Sequence, residues 1–285
     1  MQITILQRDV VWAAPAENVR RTETAIARLP QTDLIVLPEM FSTGFVTEPE
    51  GIAESDDSVT LEWMRRMARQ RGCAVAGSVA VESKVDGVAR YYNRFYFVKP
   101  DGSEVHYDKH HLFTYGGEHQ HYTAGRERVV VAWRGVRFLL MVCYDLRFPL
   151  WSRNREDYDC ALYVASWPTP RVAAWSALLR ARAIENQCYV VGVNRVGTDP
   201  ACEYSGASAI IDPYGRELAA CAMNEECDAS AAIDMDTLRL FRQKFPVLKD
   251  RDVLIFRTDN VERAQDIIAQ GKLKALDEQT LTALA

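Results

Sequence analysis

The chain has 285 residues, 48% of them hydrophobic and 26% charged, which suffices for a large buried core and suits one big α/β domain better than two small ones. A formal net charge of −5 and the absence of any Lys/Arg-rich block argue against nucleic acid and anionic membrane as partners. The opening MQITILQRDVVW lacks the basic start, long apolar run and cleavage site of a signal peptide, and no apolar stretch approaches spanning length, so a soluble cytoplasmic protein is expected.

Short runs rich in Val, Ile and Leu alternate with amphipathic stretches, the rhythm of an α/β protein. A strand is expected at residues 3–6, followed by a helix over 15–29 with Val19, Thr22, Ile26 and Leu29 on one face. Another strand at 34–37 precedes a helix over 59–71 carrying Leu61, Met64 and Ala68. Strands at 74–81 and 91–98, and the run on to His106, are separated only by Val85-Asp86-Gly87 and Pro100-Asp101-Gly102, which reads as consecutive hairpins. Further strands are expected at 136–142, 161–165, 189–194 and 206–211, so the sheets should be mixed. A single domain is expected over 1–256 and a helical tail over 257–285, with Ile267, Ile268, Leu273 and Leu276 as its apolar positions and Gly271 as a break.

Three reactive residues follow strand-like runs: Glu39 after LIVLP, Lys109 after VHYD and Cys143 after FLLMV. Ligands in α/β proteins bind beyond the carboxyl ends of strands, so the three could converge. The apolar run before Cys143 stops abruptly and turns through YDLRFP, as at a nucleophile elbow. Backbone N–H groups at such a turn and a neighbouring lysine would favour a thiolate there. An isolated buried Glu39 would demand a cationic or proton-donating partner. The seven cysteines are scattered from Cys73 to Cys227 without paired spacing, so neither a disulfide framework nor a zinc ribbon is implied. Taken singly, Cys143 reads as a buried structural thiol, and Glu39 and Lys109 as solvated surface groups.

Together the segments VLPEMFSTGF, YDKHHLF and VCYDLRFP resemble the nitrilase superfamily, whose members use a Glu, a Lys and a Cys in that chain order. The chain looks most like the bacterial omega-amidases, through LPEMF at 37–41, YDKHHLF at 107–113, EHQHYTAG at 118–125, CYDLRFPLWSRN at 143–154, SWPTPR at 166–171, RAIENQ at 182–187 and FRQKFPVLKDRD at 241–252. The resemblance spans residues 1 to about 256 and leaves the tail outside it. It implies a four-layer α-β-β-α sandwich of two mixed sheets with outer helices, and Glu39, Lys109 and Cys143 as the catalytic triad. Glu118 matches a second acid that orients the triad and keeps Lys109 charged. It further implies a homodimer joined through helices near 148–154 and 172–187, where Trp175, Leu178 and Leu179 offer apolar surface. In the implied chemistry Glu39 takes the thiol proton, while Lys109 and the Tyr144 backbone N–H hold the oxyanion. No metal or cofactor is expected.

Other readings compete. His106, His110, His111, His119 and His121 lie close together beside Glu118, as in a metal hydrolase, but without an HExxH helix or Cys/His pairing. A Cys143/His111 dyad would leave Glu39 and Lys109 unexplained, and a binding module would not need all three matching groups. Nitrile and carbamoyl hydrolysis use the same triad, so the pocket must select the substrate. Trp167 and Arg171 follow the strand at 161–165 and Arg195 follows that at 189–194, at the same rim as Cys143. A guanidinium there suits a substrate with its own carboxylate, such as 2-oxoglutaramate or 2-oxosuccinamate.

Overall fold

Residues 1–55 and 58–252 are described in a computed structural model. In chain order the elements are β1 (Gln2–Gln7), α1 (Pro15–Arg28), β2 (Leu34–Val36), α2 (Val59–Arg71), β3 (Ala74–Val85), β4 (Val88–Val98), β5 (Glu104–Asp108), α3 (Glu118–His121), β6 (Val130–Trp133), β7 (Val136–Val142), α4 (Pro149–Ser152), β8 (Cys160–Ala165), α5 (Val172–Glu185), β9 (Tyr189–Asn194), β10 (Val196–Thr198), β11 (Glu203–Ser205), β12 (Ala209–Ile211), β13 (Glu217–Ala220), β14 (Cys227–Ala232) and α6 (Met235–Lys244). One six-stranded sheet runs β14-β1-β2-β3-β4-β5 and the other β13-β12-β9-β8-β7-β6. Each has three parallel strands at its centre, β1/β2/β3 and β7/β8/β9, with antiparallel strands flanking them.

Side-chain alternation along the strands produces the four layers. Ile3, Ile5, Leu34, Val36, Phe95 and Phe97 share one cluster with Phe138, Leu140, Leu162 and Val191 of the other sheet. Phe97 meets Phe138 with ring centroids 5.6 Å apart, across the two sheets. The intervening residues Leu6, Ile35, Leu37 and Val75 face the opposite way, onto Ile26 of α1 and Leu61, Met64 and Met67 of α2. Each such fully buried large side chain contributes about 1.5–3 kcal/mol. Caps define α2: the Ser58 hydroxyl accepts the Leu61 N–H, and Gly72 closes the helix in the left-handed region at φ 62°. On the second sheet α5 lies close because β9 carries Gly192, where a Cβ would stand 2.3 Å from Leu179 Cδ1.

The hairpin at Asp86-Gly87, with φ of 52° and 78°, is the positive-φ turn expected from its sequence. The strand expected over 206–211 covers only Ala209–Ile211, because Gly206 and Ala207 both lie in the left-handed region. After Cys143 comes a 3-10 turn, Cys143–Arg147, and only then the four-residue α4. Strand β14, CDASAA, lacks the β-branched signature and is legible only through its pairing with β1. Trp175 and Leu179, expected to offer dimer surface, are 0% and 1% exposed and belong to the subunit core. Met1–Asp250 form one compact unit, and the expected tail at 257–285 lies outside the described residues. No helix among the described residues is long and apolar enough to cross a membrane.

Candidate active site

Glu39 and Lys109 leave the first sheet at the ends of β2 and β5, and Cys143 leaves the second at the end of β7, so the site sits where the two sheets meet. Two of these strand ends turn sharply: Met40, after Glu39, has φ 43° and Cys143 itself has φ 45°. Positive φ is strained for a non-glycine residue and here lifts the thiol out of the strand line. The fully buried Asp145 holds that turn by accepting the Val142 N–H at 3.0 Å, the His111 N–H at 2.9 Å and the Tyr107 hydroxyl at 2.8 Å. The elbow carrying Cys143 is thereby tied to the segment carrying Lys109.

Lys109, Glu39 and Glu118 form one buried ionic cluster. Lys109 Nζ donates to Glu39 Oε1 at 3.0 Å and to Glu118 Oε1 and Oε2 at 3.1 and 2.9 Å, and none of the three side chains is exposed. Burial by itself would lower the Lys109 pKa, but Glu118, Glu39 and Cys143 hold it above the ordinary lysine range. Glu118 is pushed up by burial and by the charge of Glu39, with Lys109 pulling it down. The Phe113 N–H donates to Glu118 Oε2 at 2.6 Å, and the Ser166 N–H, from the end of β8, donates to Glu39 Oε2 at 2.7 Å. Asn93 of β4 adds a donor to both acids. The roles of Ser166 and Asn93 carry no signal in the sequence. Ser166 acts through its backbone, and Asn93 sits inside an otherwise ordinary strand.

Cys143 is half-buried beside this cluster, its sulfur 4.0 Å from the Ser166 carbonyl oxygen. Burial and the negative charge of Glu39 push the thiol well above the usual cysteine range, with Lys109 pulling the other way. A thiolate at rest, expected from the elbow and the lysine, is therefore not what these surroundings favour. They favour a protonated thiol beside a carboxylate. Tyr144 is the second residue of the turn, and N–H groups at such a start have no acceptor within the turn.

Cys143 opens into a pocket of about 780 Å³. Trp167 and Arg171 line it, joined by Tyr144, Phe113, Tyr115 and Arg147. Arg195 does not line it. That guanidinium is fully buried, donates to the Val10 and Thr198 carbonyls at 2.8 and 3.1 Å and covers the Tyr204 ring, because the chain continues directly into β10. Arg147, four positions past Cys143 and unremarkable in the sequence, occupies the wall instead, 4.8 Å above the Trp167 ring. Arg171 lies 5.5 Å from the Phe113 ring centroid, and neither arginine has an ion-pair partner among the described residues. Acids at the same pocket are engaged elsewhere: Asp199 accepts the Tyr204 hydroxyl at 2.6 Å and Glu50 meets His121 at 3.1 Å, while Glu48 is exposed.

The histidines disperse. His110 Nδ1 lies 2.6 Å from the Gly125 carbonyl and its ring stacks on Trp151, His111 pairs with Asp145 at 2.8 Å and stacks on Phe148, and His106 packs on Tyr96. Among the described residues no group of three or more His, Cys, Asp or Glu side chains is arranged to hold a metal ion.

A family model for carbon-nitrogen hydrolases matches residues 1–243. The chain is 47% identical to the omega-amidase YafV of Escherichia coli over 88% of its length and 97% of that protein. It is 37% identical to a 2-oxoglutaramate amidase of Bacillus subtilis, covering 87% of this chain and 96% of that one. A crystal structure of a CN-hydrolase superfamily protein from Xanthomonas campestris, with an arsenic adduct in its active site, superposes with a TM-score of 0.85 at 40% identity, over 90% of this chain and 98% of that one.

Proposed function

The chain belongs to the carbon-nitrogen hydrolase family, and we propose that within it the protein is a thiol-dependent ω-amidase acting on small amides of 2-oxo dicarboxylic acids. The observation that carries the substrate class is the pair of guanidiniums, Arg147 and Arg171, on the wall of the pocket that holds Cys143. Both rest on aromatic faces and lack an ion-pair partner among the described residues, so a substrate carboxylate supplies what they need. A nitrile or a neutral amide would leave them unpaired. The omega-amidase and 2-oxoglutaramate amidase relatives support the same class.

The reaction uses the cluster in two halves. Glu39 accepts the Cys143 proton as sulfur attacks the carboxamide carbon, and the oxyanion forms against Lys109 and the Tyr144 N–H. Glu39 returns that proton to the departing nitrogen, so ammonia leaves neutral and a thioester remains. Water then attacks the thioester with Glu39 again taking a proton, which passes to the sulfur as the acid is released. Glu118 keeps Lys109 charged throughout.

The protein acts in the cytoplasm as a homodimer, and helices α4 and α5 support that arrangement by exposing Leu150 (54%) and Ile184 (51%). Sedimentation as a monomer at micromolar concentration would remove the dimer from this reading. The catalytic reading is tested by ammonia release from purified protein across 2-oxoglutaramate, 2-oxosuccinamate, neutral amides, nitriles and N-carbamoyl compounds. Preference for the two oxo-acid amides is expected. Faster turnover of nitriles or carbamoyl compounds would replace it with the corresponding activity of the same triad.

A further inference from the structure

Asn93 is fully buried on β4 and touches every charged member of the cluster. Its backbone oxygen accepts the Lys109 N–H at 3.0 Å, which sets where β5 hands over to the lysine. Its side-chain Nδ2 lies 2.7 Å from Glu39 Oε1 and 3.2 Å from Glu118 Oε1. Lys109 Nζ approaches those same two oxygens at 3.0 and 3.1 Å. One amide nitrogen and one ammonium thus bridge a single pair of carboxylates. The reverse amide orientation would aim a carbonyl oxygen at two anions, so the surrounding charge dictates which way the amide points. Asn93 Oδ1 has no hydrogen-bond partner among the described residues, which leaves donation to the two acids as what this side chain does.

The charge count explains why a second donor is needed. Two buried carboxylates against one ammonium leave an excess negative charge, and like charges this close press one acid to keep a proton. A protonated Glu39 could not take the proton from Cys143. A primary amide donates two hydrogens without titrating itself, which no acid, lysine or histidine in this place could do. We propose that Asn93 is a positioning residue whose two amide hydrogens hold Glu39 and Glu118 side by side as ionised carboxylates around one lysine, and so keep Glu39 available as the base for Cys143. This rests on the reading of Glu39 as the base of a thiol amidohydrolase and extends it to a residue that acts through Glu39. The other titratable groups facing the pair are Lys109 after β5, the Cys143 thiol of the elbow and the Tyr122 phenol after α3, which donates to the Val46 carbonyl at 2.8 Å.

Two substitutions separate this role from a structural one. Asn93→Leu keeps the branched outline and removes both donors, while Asn93→Asp keeps the shape and donates one hydrogen only while protonated. The measurements are the pH profile of kcat/KM for ammonia release and, alongside it, the pH profile of Cys143 alkylation by iodoacetamide. Asn93→Leu should move the acid limb up by about one to two pH units, the size expected for losing a hydrogen bond to a charged group, with activity recovering at high pH. Asn93→Asp should do the opposite, keeping activity at low pH and losing it as the added carboxylate ionises. Equal loss at every pH, or the wild-type profile in both variants, overturns the proposal. If thermal melts show Asn93→Leu unfolded, the isosteric Asn93→Asp decides alone. Failure of the wild type to release ammonia from any amide would count against the ω-amidase reading, and the alkylation profiles would still decide the role of Asn93.

Discussion

In the buried floor beneath the pocket each carboxylate oxygen of Glu39 and Glu118 is engaged and no part of either side chain is exposed, whereas on the wall Arg147 and Arg171 are half-buried over aromatic rings without an ion-pair partner among the described residues. A charge removed from water must be paired within the protein, so the floor has to be complete before substrate arrives. A half-solvated guanidinium can wait for its anion, because water and an aromatic face hold it meanwhile. On the proposed function, the contrast separates groups that perform chemistry from groups that choose what undergoes it.

The sharpest way to break that division is to remove one member of the floor. Cys143→Ala and Glu39→Gln should each abolish ammonia release while leaving thermal stability close to wild type, and Lys109→Ala should cost on the order of 100-fold or more in kcat. Measurable turnover in Cys143→Ala would end the assignment of the nucleophile.

Changes to the wall should be smaller and should depend on substrate. Arg147→Ala and Arg171→Ala should each raise KM for 2-oxoglutaramate by about 10–200-fold, the loss of a charge-assisted hydrogen bond of about 1.5–3 kcal/mol. Neither change should affect a neutral amide such as propionamide. An equal loss on both substrates would mean that the arginines hold the fold rather than the carboxylate.

The smallest signal is spectroscopic. Burial and Glu39 raise the Cys143 pKa, so the sulfur is protonated below that raised value and ionises only above it. The difference in 240 nm absorbance between wild type and Cys143→Ala should therefore show no thiolate step between pH 6 and about pH 8.5, the ordinary cysteine pKa. A step near neutrality would show that Lys109 outweighs Glu39 and burial.

Glu39 and Cys143 were legible because each ends an apolar run, and an apolar run that stops at a reactive group marks the edge of a sheet, whereas Lys109 follows the mixed segment EVHYD and was legible through the YDKHHLF motif. Glu118 has no such local context and was reachable only through the EHQHYTAG motif and the resemblance that motif supports. Arg195 and Arg147 show where local reading failed. Both follow strands closely, but the first is captured by the Val10 and Thr198 carbonyls and the second by the Trp167 face, and no spacing along the chain encodes which.

By itself the sequence determined what short-range physics controls: the two-residue period that gives each strand two buried faces, the positive-φ turn at Asp86-Gly87, and the strand ends at Glu39, Lys109 and Cys143. Tertiary structure alone decided the resting protonation of Cys143, the joint hold of Asn93 on two acids, and the choice of Arg147 over Arg195 for the pocket wall. The reason is that electrostatic and hydrogen-bond energies depend on distance through space, and residues far apart in the chain become neighbours only after the two sheets have packed.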